Sequence, residues 1–376
     1  MIGMALASAA IVFMITHLLA IWLYLRRLER PKAAAGVIGQ PFVTLLRPVC
    51  GLDAFDEETL QSSFDQAYPH YEIIFCAQTS DDPAIALLHR LIAQNPQVSA
   101  QVLVGYDRIS GNPKLNNVWK GWNTASGDWI CMTDSNLLLP SDYLATVVGS
   151  WGPATGLVSS PPIGIRPQNF GGLLECAFLN SNQALLQYAA DSVGPAFAQG
   201  KTLFFNKPLL EQAGGLWALG QTLAEDAAAT KVVRNLGREV TLTPLPFAQP
   251  VGRRSLAQVV MRQLRWSRVR RDAFPLLFTF EVFNGGLAPV CMAIAALILL
   301  DADPAFALAY VALWYLAELF LAARAGWPRG AAAVPLMLLR DMIMPAIWVA
   351  TFLQRGFEWR GTTMAPKSPT ETVPAE

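Results

Sequence analysis

Asp134 directly follows an apolar run, Trp129-Ile130-Cys131-Met132, in the stretch Thr133-Asp134-Ser135-Asn136. A carboxylate at the end of a buried strand is exposed where ligands collect. Hard cations such as Mg2+ or Mn2+ take oxygen ligands of this kind and bridge them to a diphosphate. A turn acid without a ligand is the plainer alternative. Asp81 and Asp82 follow a second apolar run and precede Pro83. They either cap a helix or hold a nucleotide base or ribose. Glu225-Asp226 opens a helical stretch. An acid there complements the helix dipole, or Asp226 serves as a general base facing an acceptor. Residues 251–271 carry seven arginines, at 253, 254, 262, 265, 268, 270 and 271, and no acid. Leu256, Val259, Val260, Leu264 and Trp266 are mixed among them. Such a helix lies on anionic lipid, or its guanidinium groups clamp a diphosphate, or both.

Short β-rich runs must position these groups. Candidate strands are 42–47, 71–77, 100–104, 128–133, 155–160 and 239–243, with helical stretches between them such as 83–94 and 223–236. Alternation of this kind predicts a mostly parallel sheet flanked by helices. Ligands of such sheets sit at the C-terminal strand ends, where Asp82 and Asp134 fall.

The remaining composition sets the surroundings. Lys plus Arg and Asp plus Glu each number 28, charged residues make up 15%, and hydrophobic residues make up 53%. Mean hydropathy is +0.33. Disordered, collagen-like and nucleic-acid-binding chains do not combine such apolarity with zero net charge. Five scattered cysteines without a C-x-x-C pair argue against a disulfide framework or a zinc site. Residues 2–25 lack Asp, Glu, Lys and Arg, meeting the ~20-residue need of a membrane-spanning helix. Arg26, Arg27, Arg30 and Lys32 follow. No basic stretch precedes the run and no small-residue cleavage site follows it, so an uncleaved anchor is expected. Positive flanks place residue 26 onward in the cytosol. Further apolar stretches span 274–300, 304–323 and 331–353. Asn284-Gly285-Gly286 weakens the first, predicting an interfacial piece and then a short span. Arg340-Asp341 interrupts the third. A re-entrant or surface-lying hairpin there would keep that pair out of lipid. The expected organisation is an anchor and basic flank over 1–40, a catalytic domain over 41–250 and a basic interfacial helix over 251–273. Membrane segments over 274–356 and a tail over 357–376 complete it.

In order, these signals resemble a membrane-anchored, inverting glycosyltransferase of the GT-A type. The matching pattern is an early Asp (Asp82, with Asp81), a strand-end Asp (Asp134), an E-D pair (Asp226) and Arg262-Gln263-Leu264-Arg265-Trp266. The fuller resemblance is to ceramide glucosyltransferases. It extends through Leu46-Arg47-Pro48-Val49-Cys50-Gly51-Leu52-Asp53, Tyr68-Pro69-His70-Tyr71-Glu72 and Asp81-Asp82-Pro83-Ala84-Ile85. It continues in Asn112-Pro113-Lys114-Leu115-Asn116-Asn117, Gly214-Gly215-Leu216 and Trp359-Arg360-Gly361. The resemblance implies a Rossmann-like GT-A domain with membrane helices at both ends. It implies transfer of glucose from UDP-glucose to the primary hydroxyl of ceramide. Asp226 is then the base, and Asp134 the ligand of Mg2+ or Mn2+. Asp81, Asp82 and Lys114 bind the nucleotide, Arg262 and Arg265 meet the diphosphate or shape the acceptor entrance, and Trp266 packs at the sugar or lipid mouth. Other lipid acceptors, a hopanoid, diacylglycerol or polyprenyl phosphate, are the alternative. The chain is then an integral protein of the inner or cell membrane with its catalytic domain in the cytosol.

Overall fold

The computed structural model describes residues 1–29, 37–194, 196–222 and 224–353, and the backbone of two short strands, Phe357–Trp359 and Thr362–Met364. Arg30 and Lys32 of the basic flank lie outside the described residues, as do Arg360 and the tail from Ala365. Nine further strands follow in chain order. They are β1 (Val43–Pro48), β2 (Tyr71–Ala77), β3 (Ser99–Val104), β4 (Trp129–Thr133), β5 (Thr155–Ser159), β6 (Pro162–Pro167), β7 (Thr202–Asn206), β8 (Glu239–Leu242) and β9 (Phe247–Gly252). The chain divides into two compact units that do not follow sequence order. One comprises Lys32–Pro161, Ala196–Thr243 and Leu353–Glu376; the other comprises Met1–Pro31, Pro162–Pro195 and Pro244–Phe352.

The first unit holds a seven-stranded sheet in the order β3-β2-β1-β4-β7-β5-β8. Strands β1, β2 and β4 are apolar almost throughout and buried along nearly their whole length. Parallel strands covered on both faces have this composition. β1 pairs in parallel with β2 and β4, β2 with β3, and β5 with β8. The six strands expected from sequence are all present. β7 is an addition, antiparallel to both β4 and β5. Its five residues, TLFFN, run straight into a helix at Lys207. A segment that short lacks the length to show a period of its own. Helix Pro113–Thr124 lies close against β1 and β2. A Cβ at Gly121 would fall 2.4 Å from a Leu46 methyl and 2.6 Å from the Cys76 sulfur, so only glycine allows this approach.

The second unit is mainly helical. Ile2–Leu28, Ala305–Arg324 and Ala333–Leu353 are long and apolar enough to cross a membrane. Pro275–Phe283 and Leu287–Leu299 pass that test together but are bent by 53°. The break coincides with Asn284-Gly285-Gly286, as the sequence suggested. Large apolar side chains face outward along these helices, including Ile11, Ile15, Leu308, Leu316 and Val349. Residues 162–195 and 244–250, expected inside one continuous catalytic stretch, group with these helices, and β6 pairs in parallel with β9. The basic stretch begins at the end of β9 and continues as helix Leu256–Ala273. Ser255 and Gln258 close that helix with reciprocal bonds.

The hairpin expected over 331–353 is not formed. Ala333–Leu353 is one continuous helix with Pro345 inside it. Packing, rather than a turn, accommodates the charges. Arg340, 1% exposed, donates Nη1 and Nη2 to the Glu318 carboxylate at 2.9 Å each, and Nε to Asp341 at 2.7 Å. It also donates to the Ser181 hydroxyl. Asp341 accepts from Tyr315 at 2.9 Å and from the Gly286 N–H at 2.7 Å. Gly285, at φ +83, brings that backbone so near that a Cβ would fall 2.6 Å from Asp341 Oδ1. Arg27, at the end of the first helix, is also spent internally. It donates to Pro244 O at 2.8 Å, pairs with Asp191 and lies 4.2 Å over the Tyr188 ring.

Removing one partner from a buried ion pair strands the other charge, at a cost of about 3–5 kcal/mol. Arg340→Met is therefore expected to lower the thermal midpoint in detergent far more than Arg329→Met. Equal midpoints for the two variants would dismiss the network as a stabilising element.

Candidate active site

Helix Pro113–Thr124 starts on Asn112, whose Oδ1 accepts from the Lys114 N–H at 2.9 Å, while Pro113 presets the first turn. Lys114 is thereby fixed in that turn. Its ammonium contacts Asp134 Oδ1 at 2.7 Å, Glu225 Oε1 at 2.9 Å and Gly200 O at 2.6 Å. Asp134 is the residue after β4. Its second oxygen meets Lys201 at 2.9 Å, and Lys201 also donates to Asn136 Oδ1 at 2.8 Å. Glu225 Oε2 accepts from Asn112 Nδ2 at 2.8 Å. The cluster thus joins the end of β4, the turn before β7 and the starts of two helices.

Asp226 lies beside Glu225 in the first turn of helix Glu225–Asn235. Its Oδ2 accepts from the Gly200 N–H at 3.0 Å and its Oδ1 from its neighbour's N–H, Ala227, at 2.8 Å. Gly200 therefore meets Lys114 through its carbonyl and Asp226 through its amide. A Cβ on Gly200 would fall 2.8 Å from Glu225 Oε1, so a side chain there would collide with the cluster.

The carboxylates are tuned in opposite directions. Burial alone would raise Asp134, but Lys114 and Lys201 outweigh it and hold the carboxyl below its usual range. Burial would lower Lys114; Asp134 and Glu225 reverse this and raise it. Asp226 is pushed up to about 6, first by burial and then by the charge of Glu225. One carboxylate is locked in its charged form, and its neighbour exchanges a proton near neutrality. Pairs whose environments separate them in this way mark acid–base chemistry.

Arg47, fully buried at the end of β1, organises the loop after β4 from below. It donates Nη2 to the carbonyls of Asp134, Ser135 and Leu137 at 2.8, 3.0 and 2.9 Å. Its other branch reaches Thr59 O and Ser63 Oγ, each at 2.6 Å. Burial lowers its guanidinium to about 10.

The structure brings three sequence candidates together: Lys114, Asp134 and Asp226. Asp82 sits after β2, where its carboxylate accepts from the Gly51 N–H at 2.9 and 3.1 Å and from the Ala84 N–H at 2.9 Å. It ties the loop after β1 to the helix after β2. Asp81 is exposed, and a hydrogen bond from Thr79 lowers its carboxyl. Arg262, Arg265 and Trp266 belong to the helical unit. Arg262 donates to Glu175 at 2.8 Å, and Trp266 packs on Cys176, Leu179 and Val251. Arg270 and Arg271 pair with Glu281 and Asp272, so the basic helix directs part of its charge at protein acids.

Glu225, Lys201, Gly200 and Arg47 were not singled out as site residues from sequence. The E-D pair contained a signal for Glu225, and the resemblance motif around Arg47 a signal for that residue. Nothing marked Gly200-Lys201, because β7 was not recognised. Among the described residues, no three His, Cys, Asp or Glu side chains form a metal-holding group. Yet Asp134 and Asn136 oxygens already converge on one cation, the Lys201 ammonium. Mg2+ and Mn2+ sites commonly use one or two carboxylates with substrate phosphate, and this donor set fits that pattern.

The profile of a family described as Glycosyl transferase family 21 matches residues 2–371. Ceramide glucosyltransferase 3 of Caenorhabditis elegans is 25% identical over 333 residues, 85% of this chain and 72% of that protein. A ceramide glucosyltransferase of Komagataella phaffii is 30% identical over 288 residues, 61% of this chain and 56% of that protein. The chain thus spans just over half the length of the second relative. Among solved structures, a mannosyltransferase from Pyrobaculum calidifontis, in complex with GDP-Man and Mn2+, superposes with a TM-score of 0.56 at 21% identity. That match covers 94% of this chain and 97% of the other, and it shows a shared fold.

Asp226 also links stability to pH. Its folded value, about 6, exceeds the ordinary 3.8 of an aspartate, so the folded state keeps a proton that the unfolded state releases between those values. Stability from this group is present below about 4 and is lost as pH rises through about 6. Asp226→Asn is expected to raise the thermal midpoint at pH 7.5 and leave it unchanged near pH 4. An equal effect at both pH values would remove the assigned shift.

Proposed function

We propose that this chain, which belongs to glycosyl transferase family 21, transfers glucose from UDP-glucose to the primary hydroxyl of ceramide with inversion, making glucosylceramide. The observation that carries the chemistry is the pairing of Asp226, at about 6, with a cation-locked Asp134 across Gly200. The names of the nematode and Komagataella relatives support the sugar and the lipid.

In this reading Asp226 is the general base. It takes the proton of the acceptor hydroxyl as that oxygen bonds to the anomeric carbon of glucose. The bond from that carbon to the diphosphate oxygen breaks on the opposite face, and UDP leaves with the electron pair. The proton then passes from Asp226 to solvent. A base near 6 is largely ionised at pH 7 yet still basic enough to assist the transfer.

The departing diphosphate develops negative charge, which preorganised cations stabilise. Lys114 and Lys201 stand at the strand end with flexible stems and reach it from there. A divalent cation, Mg2+ or Mn2+, supplies Lewis-acid charge to the leaving diphosphate when bound. Asp134 would hold that ion, with Asn136 beside it, and Lys114 and Lys201 would add their positive charge at the diphosphate. Asp82 and Asp81 border the nucleotide. Arg262 and Arg265 serve the diphosphate or the acceptor entrance, and Trp266 packs near the lipid. The apolar helices anchor the chain in the inner or cell membrane, and Arg26 and Arg27 at the end of the first helix orient the catalytic unit to the cytosol.

Membranes containing the protein are incubated with radiolabelled UDP-glucose and either ceramide, diacylglycerol or no added lipid. Label in ceramide, reduced about 10²–10⁴-fold in Asp226→Asn, is the expected outcome. Label confined to diacylglycerol would replace the acceptor, and full activity of Asp226→Asn would remove the base. The kcat/KM profile is expected to fall below pH about 6 as Asp226 gains its proton. Turnover that persists unchanged after chelation would refute the role given to Asp134.

A further inference from the structure

Among the buried side chains of the helical unit that keep a polar atom unspent, two lie on one pair of packed helices. Gln263 is 4% exposed; its Oε1 accepts from Gln183 Nε2 at 3.1 Å, while its own Nε2 has no hydrogen-bond partner. Exchanging the N and O ends of both amides preserves one bond and still leaves one end unspent. Glu175 is fully buried; its Oε1 accepts from Arg262 at 2.8 Å, while Oε2 has no partner. A buried polar atom left unpaired costs about 1–3 kcal/mol, and more when charged. Two such atoms on the same helix pair call for an explanation.

Their placement supplies one. Glu175 lies just before a π-helical turn, Phe178–Ala184, and Gln183 lies within it; they reach the consecutive residues Arg262 and Gln263 of helix Leu256–Ala273. π-turns within α-helices occur frequently at functional sites. The surroundings are apolar: Leu174 adjoins Glu175, Val259 lies one turn before Gln263, and both pack with Phe178, Leu336 and Ile347. Leu336 and Ile347 come from a helix long and apolar enough to cross a membrane. An unspent amide donor and an unspent carboxylate acceptor on elements that share an apolar cluster match a ligand with hydrocarbon chains and a head that both accepts and donates hydrogen bonds.

We propose that Gln263, held by Gln183 and accompanied by Glu175, recognises the polar head of the acceptor lipid, favouring a head with an amide and a hydroxyl. The site selects the acceptor and leaves the sugar nucleotide untouched. The inference rests on the lipid-transfer reading for the ligand's identity, and its test measures binding apart from transfer.

Full-length protein in phosphatidylcholine nanodiscs is titrated without nucleotide against a fluorescent ceramide and a fluorescent diacylglycerol. Gln263→Leu is expected to weaken ceramide binding about tenfold, the size of one lost hydrogen bond. The UDP-glucose Kd should stay as in wild type, and diacylglycerol, whose ester carbonyls accept hydrogen bonds more weakly than an amide carbonyl, should lose less than ceramide. Gln263→Glu keeps the volume, exchanges the donor for an acceptor and should weaken ceramide in the same way. It decides the matter if the leucine variant does not fold. Unchanged ceramide binding in a folded variant overturns the proposal, as does an equal loss for both lipids and the nucleotide. Gln263-dependent ceramide binding without glucosyl transfer would sustain the site and overturn the transfer reading. Glucosyl transfer to ceramide with unaltered binding in both variants would do the reverse.

Discussion

A lysine ammonium enclosed by two carboxylates is the interaction on which the catalytic arrangement depends. Lys114, with its side chain 13% exposed, would be costly to bury alone. Asp134 and Glu225 make its burial tolerable, and the geometry they impose fixes three separate pieces of chain. Asp134 must stop at the end of β4, Glu225 must open its helix at that level, and Asn112 must start the helix that presents Lys114. Gly200 lies between them, where a Cβ would fall 2.8 Å from Glu225 Oε1 and force that carboxylate to move. The raised Asp226 follows from the same arrangement. Lys114 is committed first to Asp134 and Glu225, so Asp226 keeps the burial penalty and the repulsion of Glu225.

The helical unit meets a related constraint in a less polar setting. Arg340 and Asp341 are fully paired, and the break at Gly285-Gly286 lets a backbone amide reach Asp341. The same residues that weaken a helix in sequence therefore satisfy a buried acid. Near the π-turn, by contrast, Gln263 and Glu175 retain unspent polar ends. Complete pairing fits a load that holds helices together. Incomplete pairing leaves a buried donor and a buried acceptor open to a further partner.

Much of the sheet was legible because buried parallel strands are written as apolar runs. Ile73-Ile74-Phe75 and Ile130-Cys131-Met132 left little choice. Asp134 and Asp82 could be picked out by their position after such runs. β7 was not legible, since five residues bounded by Gly200-Lys201 and Lys207-Pro208 carry too little period. With β7 went Lys201, the second cation on Asp134. The hairpin expected around Arg340 came from a sound premise, that charge is costly at membrane depth. It omitted Glu318 and Ser181, which lie 22 and 159 residues from Arg340, and Tyr315, 26 residues from Asp341, which supply the partners.

The sequence by itself determined the α/β class, the apolar helices at both ends and the acids placed after its strands and at its helix starts. Those properties depend on local composition and on short periodicities. Tertiary structure decided the state of each acid. Asp134 is locked as a carboxylate and Asp226 is lifted to about 6 because of which charges stand within a few ångströms of each. It also decided that residues 162–195 and 244–250 group with the long apolar helices instead of the seven-stranded sheet. Such outcomes depend on proximity between distant segments, and Coulomb energy and desolvation follow that proximity.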